Sequence, residues 1–152
     1  MIKSKIVHEG VKQRVGKLVE EHVCKEEQLS FNKRQQTKGY YDAYNKDNIF
    51  EIKAIKAIKN QDTRVTIVIK NHKELLKSGC GKYIFINYDL INKDKDLQLI
   101  QDINILHEII LSSEEMNSLL MKHGTAYNRN FKGHIREYIR LKFSYILELN
   151  ND

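Results

Sequence analysis

An α/β domain, a mixed central β-sheet flanked by helices, is the fold class this sequence predicts, and three observations predict it. Val11, Val15, Leu18, Val19, His22 and Val23 recur at three- and four-residue steps, the stripe of an amphipathic helix. From Ile49 the residues alternate, with Ile49, Glu51, Lys53 and Ile55 on one face and Phe50, Ile52 and Ala54 on the other, as in a half-buried strand. Lys82 to Tyr88 is apolar almost throughout, which suits a strand covered on both faces.

In order, residues 8 to about 29 read as the first helix, with Lys12, Arg14, Lys17, Glu20 and Glu21 largely off its stripe. His22 lies on the stripe and reads as a core or boundary residue, because no second ligand stands at helical spacing. Residues 30–38 read as a polar connection carrying Lys33, Arg34 and Lys38. Tyr40, Tyr41 and Ala43 give the body of a first strand, Asn45 to Asn48 a turn, and Ile49 to Ile58 a second strand rich in β-branched residues. Residues 60–63 make a turn and Arg64 to Lys70 a further strand. Asn71 resembles an N-cap, with a short helix from His72 to Lys77 closed by Ser78 and Gly79. After the Lys82–Tyr88 strand, 91–96 is a charged loop, and 97–111 suits either two strands or a strand plus a turn. Ser112 and Ser113 before Glu114 and Glu115 signal a helix start. His123 to Asn130 reads as a polar loop, and Phe131 to Leu149 as helical, from Ile135, Tyr138, Ile139, Leu141, Phe143, Tyr145 and Ile146.

The bulk numbers restrict the function classes. Hydrophobic residues at 41% and charged residues at 30% are globular rather than disordered values, and the length suits a single domain over 1–152. The net charge of +6 permits a polyanionic partner. Cys24 and Cys80 lack metal-ligand spacing and read as reduced thiols, which with the lack of a signal-peptide core predicts a cytoplasmic protein. No apolar run approaches the roughly 20 residues of a membrane span. No Walker-type loop, zinc cluster or Ser–His–Asp pattern points to another enzyme class, and none of these patterns implies a small-molecule cofactor.

The chemistry concentrates in Gly39 to Lys53. Glu51 and Lys53 share a strand face, and a tight turn can bring Asp42 opposite Glu51. A Glu-x-Lys pair on an exposed strand is ordinarily a salt bridge contributing roughly 0–1 kcal/mol. Here the flanks Ile49, Phe50, Ile52, Ala54 and Ile55 are apolar, so the charges sit in a strand expected to be mostly buried, where they need a partner or a metal. Mg²⁺ takes hard oxygen ligands and keeps several waters, so Asp42, Glu51 and the Ile52 carbonyl would suffice. Lys53 can orient or deprotonate an attacking water and offset charge at a phosphodiester.

Gly39-Tyr-Tyr-Asp42, a short turn, then Ile49-Phe-Glu51-Ile-Lys53 resembles the core of the PD-(D/E)xK nuclease superfamily, the restriction-endonuclease-like fold. The order of elements agrees over roughly 10–90, leaving about 97–150 as a C-terminal elaboration; Tyr41 stands where the pattern has proline. The resemblance implies that Asp42 and Glu51 bind Mg²⁺ and that Lys53 assists the water. Gly16-Lys17-Leu18-Val19-Glu20 is similar to the Gly-x-x-x-Glu pattern of resolvase-like members, which implies Glu20 as a further catalytic acid. Glu20 points off the apolar stripe and Glu21 borders it, so which acid joins the site stays open at this stage.

Between Lys53 and Lys82 positive residues outnumber the acids Asp62 and Glu74. Lys56, Lys59, Arg64, Lys70, His72 and Lys73 are the candidate phosphate contacts, with a solvated lysine-rich face as the plainer reading. His134, Arg136, Arg140 and Lys142 form a second basic run that can flank a DNA groove, whereas Tyr138 and Tyr145 read as core. The expected activity is Mg²⁺-dependent endonucleolytic cleavage of DNA, restriction-type on both strands, with a junction resolvase or a non-catalytic nucleic-acid-binding subunit as alternatives. Cutting both strands needs two sites, which predicts a homodimer.

Overall fold

The structure, a computed structural model, describes residues 15–32, 40–95 and 97–150. The expected start of the first helix at 8–14, the basic residues Lys33, Arg34 and Lys38, and Gly39 lie outside the described residues.

Helix α1 covers 15–26, with Val15, Val19, Val23 and Cys24 buried along one side. Two short strands follow, β1 (Ser30–Phe31) and β2 (Ala43–Tyr44). The turn after β2 forms because Asn45 Oδ1 accepts the backbone N–H groups of Asp47 and Asn48, at 2.9 and 2.8 Å. Strand β3 (Ile49–Lys56) keeps the expected alternation but ends two residues before Ile58. Strand β4 (Arg64–Val68) passes directly into helix α2 (Ile69–Ser78). The strand expected to reach Lys70 therefore stops at Val68, and Asn71 lies within the helix instead of capping it. β-Branched Ile69 looks like strand locally but opens α2, the helix that carries the fully buried Leu75. Gly79 closes α2 in the left-handed conformation at φ 73°.

Strand β5 (Gly81–Leu90) is buried on both faces, as its composition predicts. A single 3₁₀ turn (Ile100–Asp102) leads into β6 (Ile103–Ser112), which settles the ambiguity of 97–111. Helix α3 (Ser113–His123) starts with a capping box, in which Ser112 Oγ accepts the N–H of Glu115 and Glu115 Oε1 accepts that of Ser112.

The C-terminal part departs from expectation. The polar loop over 123–130 is instead strand β7 (Thr125–Phe131), and the helix over 131–149 is strand β8 (His134–Lys142) followed by helix α4 (Phe143–Asn150). Lys132 and Gly133, at φ 49° and 83°, form the two-residue hairpin turn between the strands. From His134 to Lys142 the sequence also fits period two, and pairing of β8 with both β4 and β7 selects that reading over the helical one.

Two sheets result. The first is five-stranded and mixed, in the order β1–β2–β3–β5–β6, with β3 and β5 parallel and the other pairs antiparallel. The second runs β4–β8–β7, antiparallel throughout. Two apolar clusters cover the first sheet. Phe50, Ile52, Ile84 and Ile86 meet α1, whereas Ile55, Tyr83 and Phe85 meet residues of α2, α3, α4 and one face of the second sheet. Among the described residues no helix is long and apolar enough to cross a membrane.

The start of β5 is held close beneath α2. A Cβ at Gly81 would stand 2.7 Å from the Leu75 carbonyl oxygen and 2.9 Å from the Leu75 Cβ. Gly81→Ala is therefore expected to destabilise the protein by about 1–3 kcal/mol in urea denaturation.

Candidate active site

β2 is only two residues long, so β3 outruns its partner. Its pairing with β3 ends at Ala43–Phe50. The next inward N–H, that of Ile52, is taken by a side chain: Asp42 Oδ2 accepts it at 2.8 Å, while the Asp42 N–H donates to the Phe50 carbonyl at 2.8 Å. This pair of bonds fixes the Asp42 carboxyl against the edge of β3. The N–H and C=O of one strand residue face the same neighbour, so the Ile52 carbonyl points to this edge too.

Glu51 and Lys53 project from β3 toward the side of Tyr83 and Phe85, their register partners on β5. Lys53 Nζ stands 3.5 Å from Glu51 Oε1, and the Glu51 side chain is 16% exposed. Glu51 lies within hydrogen-bonding reach of Asp42. Burial, the Asp42 charge and that hydrogen bond push its pKa from the ordinary 4.5 up to about 8, against the lowering effect of Lys53. On the other side of the sheet, the valine stripe of α1 sits over Ala43, Phe50 and Ile52. That docking leaves Glu20 half-buried, and burial first, then the Asp42 charge, push its carboxyl up to about 7. Glu21 is exposed. Of the two acids, Glu20 is the one that interacts electrostatically with Asp42 and Lys53. Cys24, one turn further along α1, is pushed up to about 11 by burial and by the same acids.

Asp42, Glu51 and Lys53 are brought together, with Glu20 further off and joined through charge. Among the described residues no three His, Cys, Asp or Glu side chains already converge closely enough to hold an ion. The donor set nevertheless fits a hard divalent cation: two carboxylates in mutual reach, a third acid nearby, and the Ile52 carbonyl at the same edge. The raised pKa values of Glu20 and Glu51 carry the same message, since one lysine does not balance three acids in a poorly solvated site.

The expected phosphate contacts divide. Lys56 is half-buried at the end of β3, Lys59 is exposed in the following turn, Arg64 is exposed on β4, and Lys70 and Lys73 are exposed on α2. His72 is corrected: it is 5% exposed and turned into the core. Its Nε2 meets Asn117 Oδ1 at 3.0 Å and its Nδ1 meets the Tyr83 hydroxyl at 2.7 Å. An amide oxygen only accepts, so Nε2 carries the proton. Burial holds the His72 pKa below its ordinary value, which favours the neutral ring, so Nδ1 accepts from Tyr83. Neither nitrogen is left for a phosphate. The local sequence could not show this, because both partners come from distant elements, β5 and α3.

A family model described as PD-(D/E)XK nuclease superfamily domain matches residues 8–130. The chain belongs to the PD-(D/E)XK nuclease superfamily, whose members are generally phosphodiester-cleaving enzymes that use divalent metal ions. No curated protein and no solved structure matches it.

Two outcomes check this geometry. Because Glu51 holds its proton more tightly when folded, its contribution to stability is complete below its ordinary value and is lost as pH rises toward its folded value. In EDTA the Tm should therefore fall from about pH 5 to about pH 8, and Glu51→Gln should flatten that fall. A Gln variant with the wild-type slope would remove Glu51 as its source. His72→Ala, which strips the buried Tyr83 hydroxyl of its partner, should cost about 1–3 kcal/mol of stability in urea denaturation.

Proposed function

We propose that this protein is a Mg²⁺-dependent endonuclease that hydrolyses DNA phosphodiesters, with Asp42, Glu51 and the Ile52 carbonyl holding the cation and Glu20 standing behind them. The observation that carries this reading is the acid pair at the edge of β3: Asp42 and Glu51 in hydrogen-bonding reach, both acids and a lysine in one partly buried place. A bound divalent cation supplies charge compensation at the phosphate and acidifies a water.

The chain's own groups do the rest. Asp42, held by the Ile52 N–H, keeps a fixed position, so little reorganisation is needed when a phosphate arrives. Lys53 orients the water and offsets negative charge growing on the phosphoryl oxygens. Glu51 accepts the Lys53 ammonium and so aims it. Lys59 and Arg64, exposed just beyond β3, are the residues we assign to flanking phosphates.

Restriction-type cleavage of both strands, by a homodimer carrying two such sites, is the form we favour. A junction-resolving nuclease is the second reading, and a specific observation supports it: Glu20 of the Gly16-x-x-x-Glu20 pattern is the helix acid coupled to the site.

The test is cleavage of supercoiled, linear and four-way-junction DNA with Mg²⁺ and with EDTA. Wild type should cut only with the metal, and Glu51→Ala, Asp42→Ala and Lys53→Ala should each lose about 10²–10³-fold in rate. Cutting confined to junctions would select the second reading. Full activity in Glu51→Ala would displace the site, and no cutting of any substrate would leave a nucleic-acid-binding subunit.

A further inference from the structure

We propose that the outward face of the β4–β8–β7 sheet is a second nucleic-acid-binding surface, which grips the phosphate backbone away from the scissile bond. The proposal rests on the nuclease reading only for the identity of the polyanion.

Strand alternation and register decide which side chains share this face. On β8, Arg136, Tyr138, Arg140 and Lys142 point one way, while Ile139 and buried Leu141 point the other. Register adds Arg64 from β4, opposite Lys142, and Tyr127 and Arg129 from β7, opposite Tyr138 and Arg136. The reverse face, with Val65, Ile67 and Leu141, is in the core. The basic face looks outward: Arg64, Arg129, Arg136 and Lys142 are exposed.

Three features separate it from an ordinary solvated sheet face. No acid occupies any position of this face on the three strands; Glu137, the acid of β8, alternates to the other side. Among the described residues, none of its arginines or its lysine is in an ion pair. Like charges also stand directly opposite each other twice, Arg64 across from Lys142 and Arg129 across from Arg136. Such pairs are destabilising in an isolated sheet, and an acid at either position would relieve them. A polyanion lying across the face relieves both at once.

The centre of the face is braced. Tyr127 and Tyr138 stack at 5.4 Å, and the Arg140 guanidinium lies 4.4 Å from the Tyr127 ring centroid. Because the rings face each other, the surface presents cations more than stacking platforms, which suits the backbone of a duplex rather than splayed bases. Its Arg64–Lys142 end adjoins β3: the Thr63 hydroxyl donates to the Lys56 carbonyl at 3.4 Å, and the Phe143 N–H donates to the Thr63 carbonyl at 2.7 Å. The Arg64–Lys142 end of the sheet is thus tied to the end of β3, the strand that carries Glu51 and Lys53. β8, which supplies Arg136, Arg140 and Lys142, lies beyond residues 8–130, so the family match does not cover that part of the surface.

The test uses the full chain in EDTA, which separates binding from cleavage, with a fluorescein-labelled DNA duplex titrated over a salt series. Arg129→Gln/Arg136→Gln and Arg64→Gln/Lys142→Gln each remove a repelling pair, so both should fold with a Tm at or above wild type. Each should weaken binding at least tenfold and lower the slope of log affinity against log salt by about 2. Wild-type affinity and slope in both variants would overturn the proposal, as would binding to phosphatidylserine vesicles with none to DNA. The nuclease reading is judged separately with Mg²⁺. Protein that binds through this face but never cuts fails that reading and keeps this one; protein that cuts while both variants bind like wild type does the reverse.

Discussion

The bond from the Ile52 N–H to the Asp42 carboxylate holds this molecule's candidate chemistry in place. β2 stops early, and a strand edge left without a partner inside a fold is costly unless something satisfies it. Here an acid does so. The same bond that completes the sheet also fixes a carboxylate beside Glu51, so a gap in the ladder and the assembly of the acid pair are one feature. Extending β2 by regular pairing would satisfy Ile52 and remove the reason for Asp42 to stand where it does.

Placing those acids there opposes stability. Glu51 and Glu20 are both pushed toward neutrality by burial and by their neighbours, with Lys53 only partly offsetting this. Such frustration is common where a site is shaped for a ligand rather than for the resting fold. The outer face of the second sheet shows the same pattern with opposite sign, in like-charged pairs that alternation gave every chance to avoid. The acids at the edge of β3 and the basic face of the second sheet thus place opposite charge on two parts of one small chain.

Much of this was legible along the chain. The α1 stripe over its described part (Val15, Val19, Val23), the alternation of β3, the all-apolar β5 and the Ser112/Glu115 capping box are local patterns, and each forms as read. So does the juxtaposition of Asp42 with Glu51 and Lys53, because a short turn leaves few ways to close that hairpin. The misreadings share a cause. His134 to Lys142 fits two periods, and only pairing with β4 and β7 chooses between them. Ile69 is strand-like by propensity but helical in context, and His72 looked like a surface cation until Tyr83 and Asn117 were brought to it.

By itself, then, the sequence determined the local elements and the acid–lysine hairpin, since these depend on residues near one another in the chain. The tertiary structure alone decided that Glu20 is half-buried within the field of Asp42 and Lys53 while Glu21 is exposed, that His72 belongs to the core, and that arginines from β4, β7 and β8 share one face. Each of those outcomes depends on how a helix is rotated over a sheet or on the register of distant strands, which are set by burying apolar surface across the whole fold and not by any local run of residues.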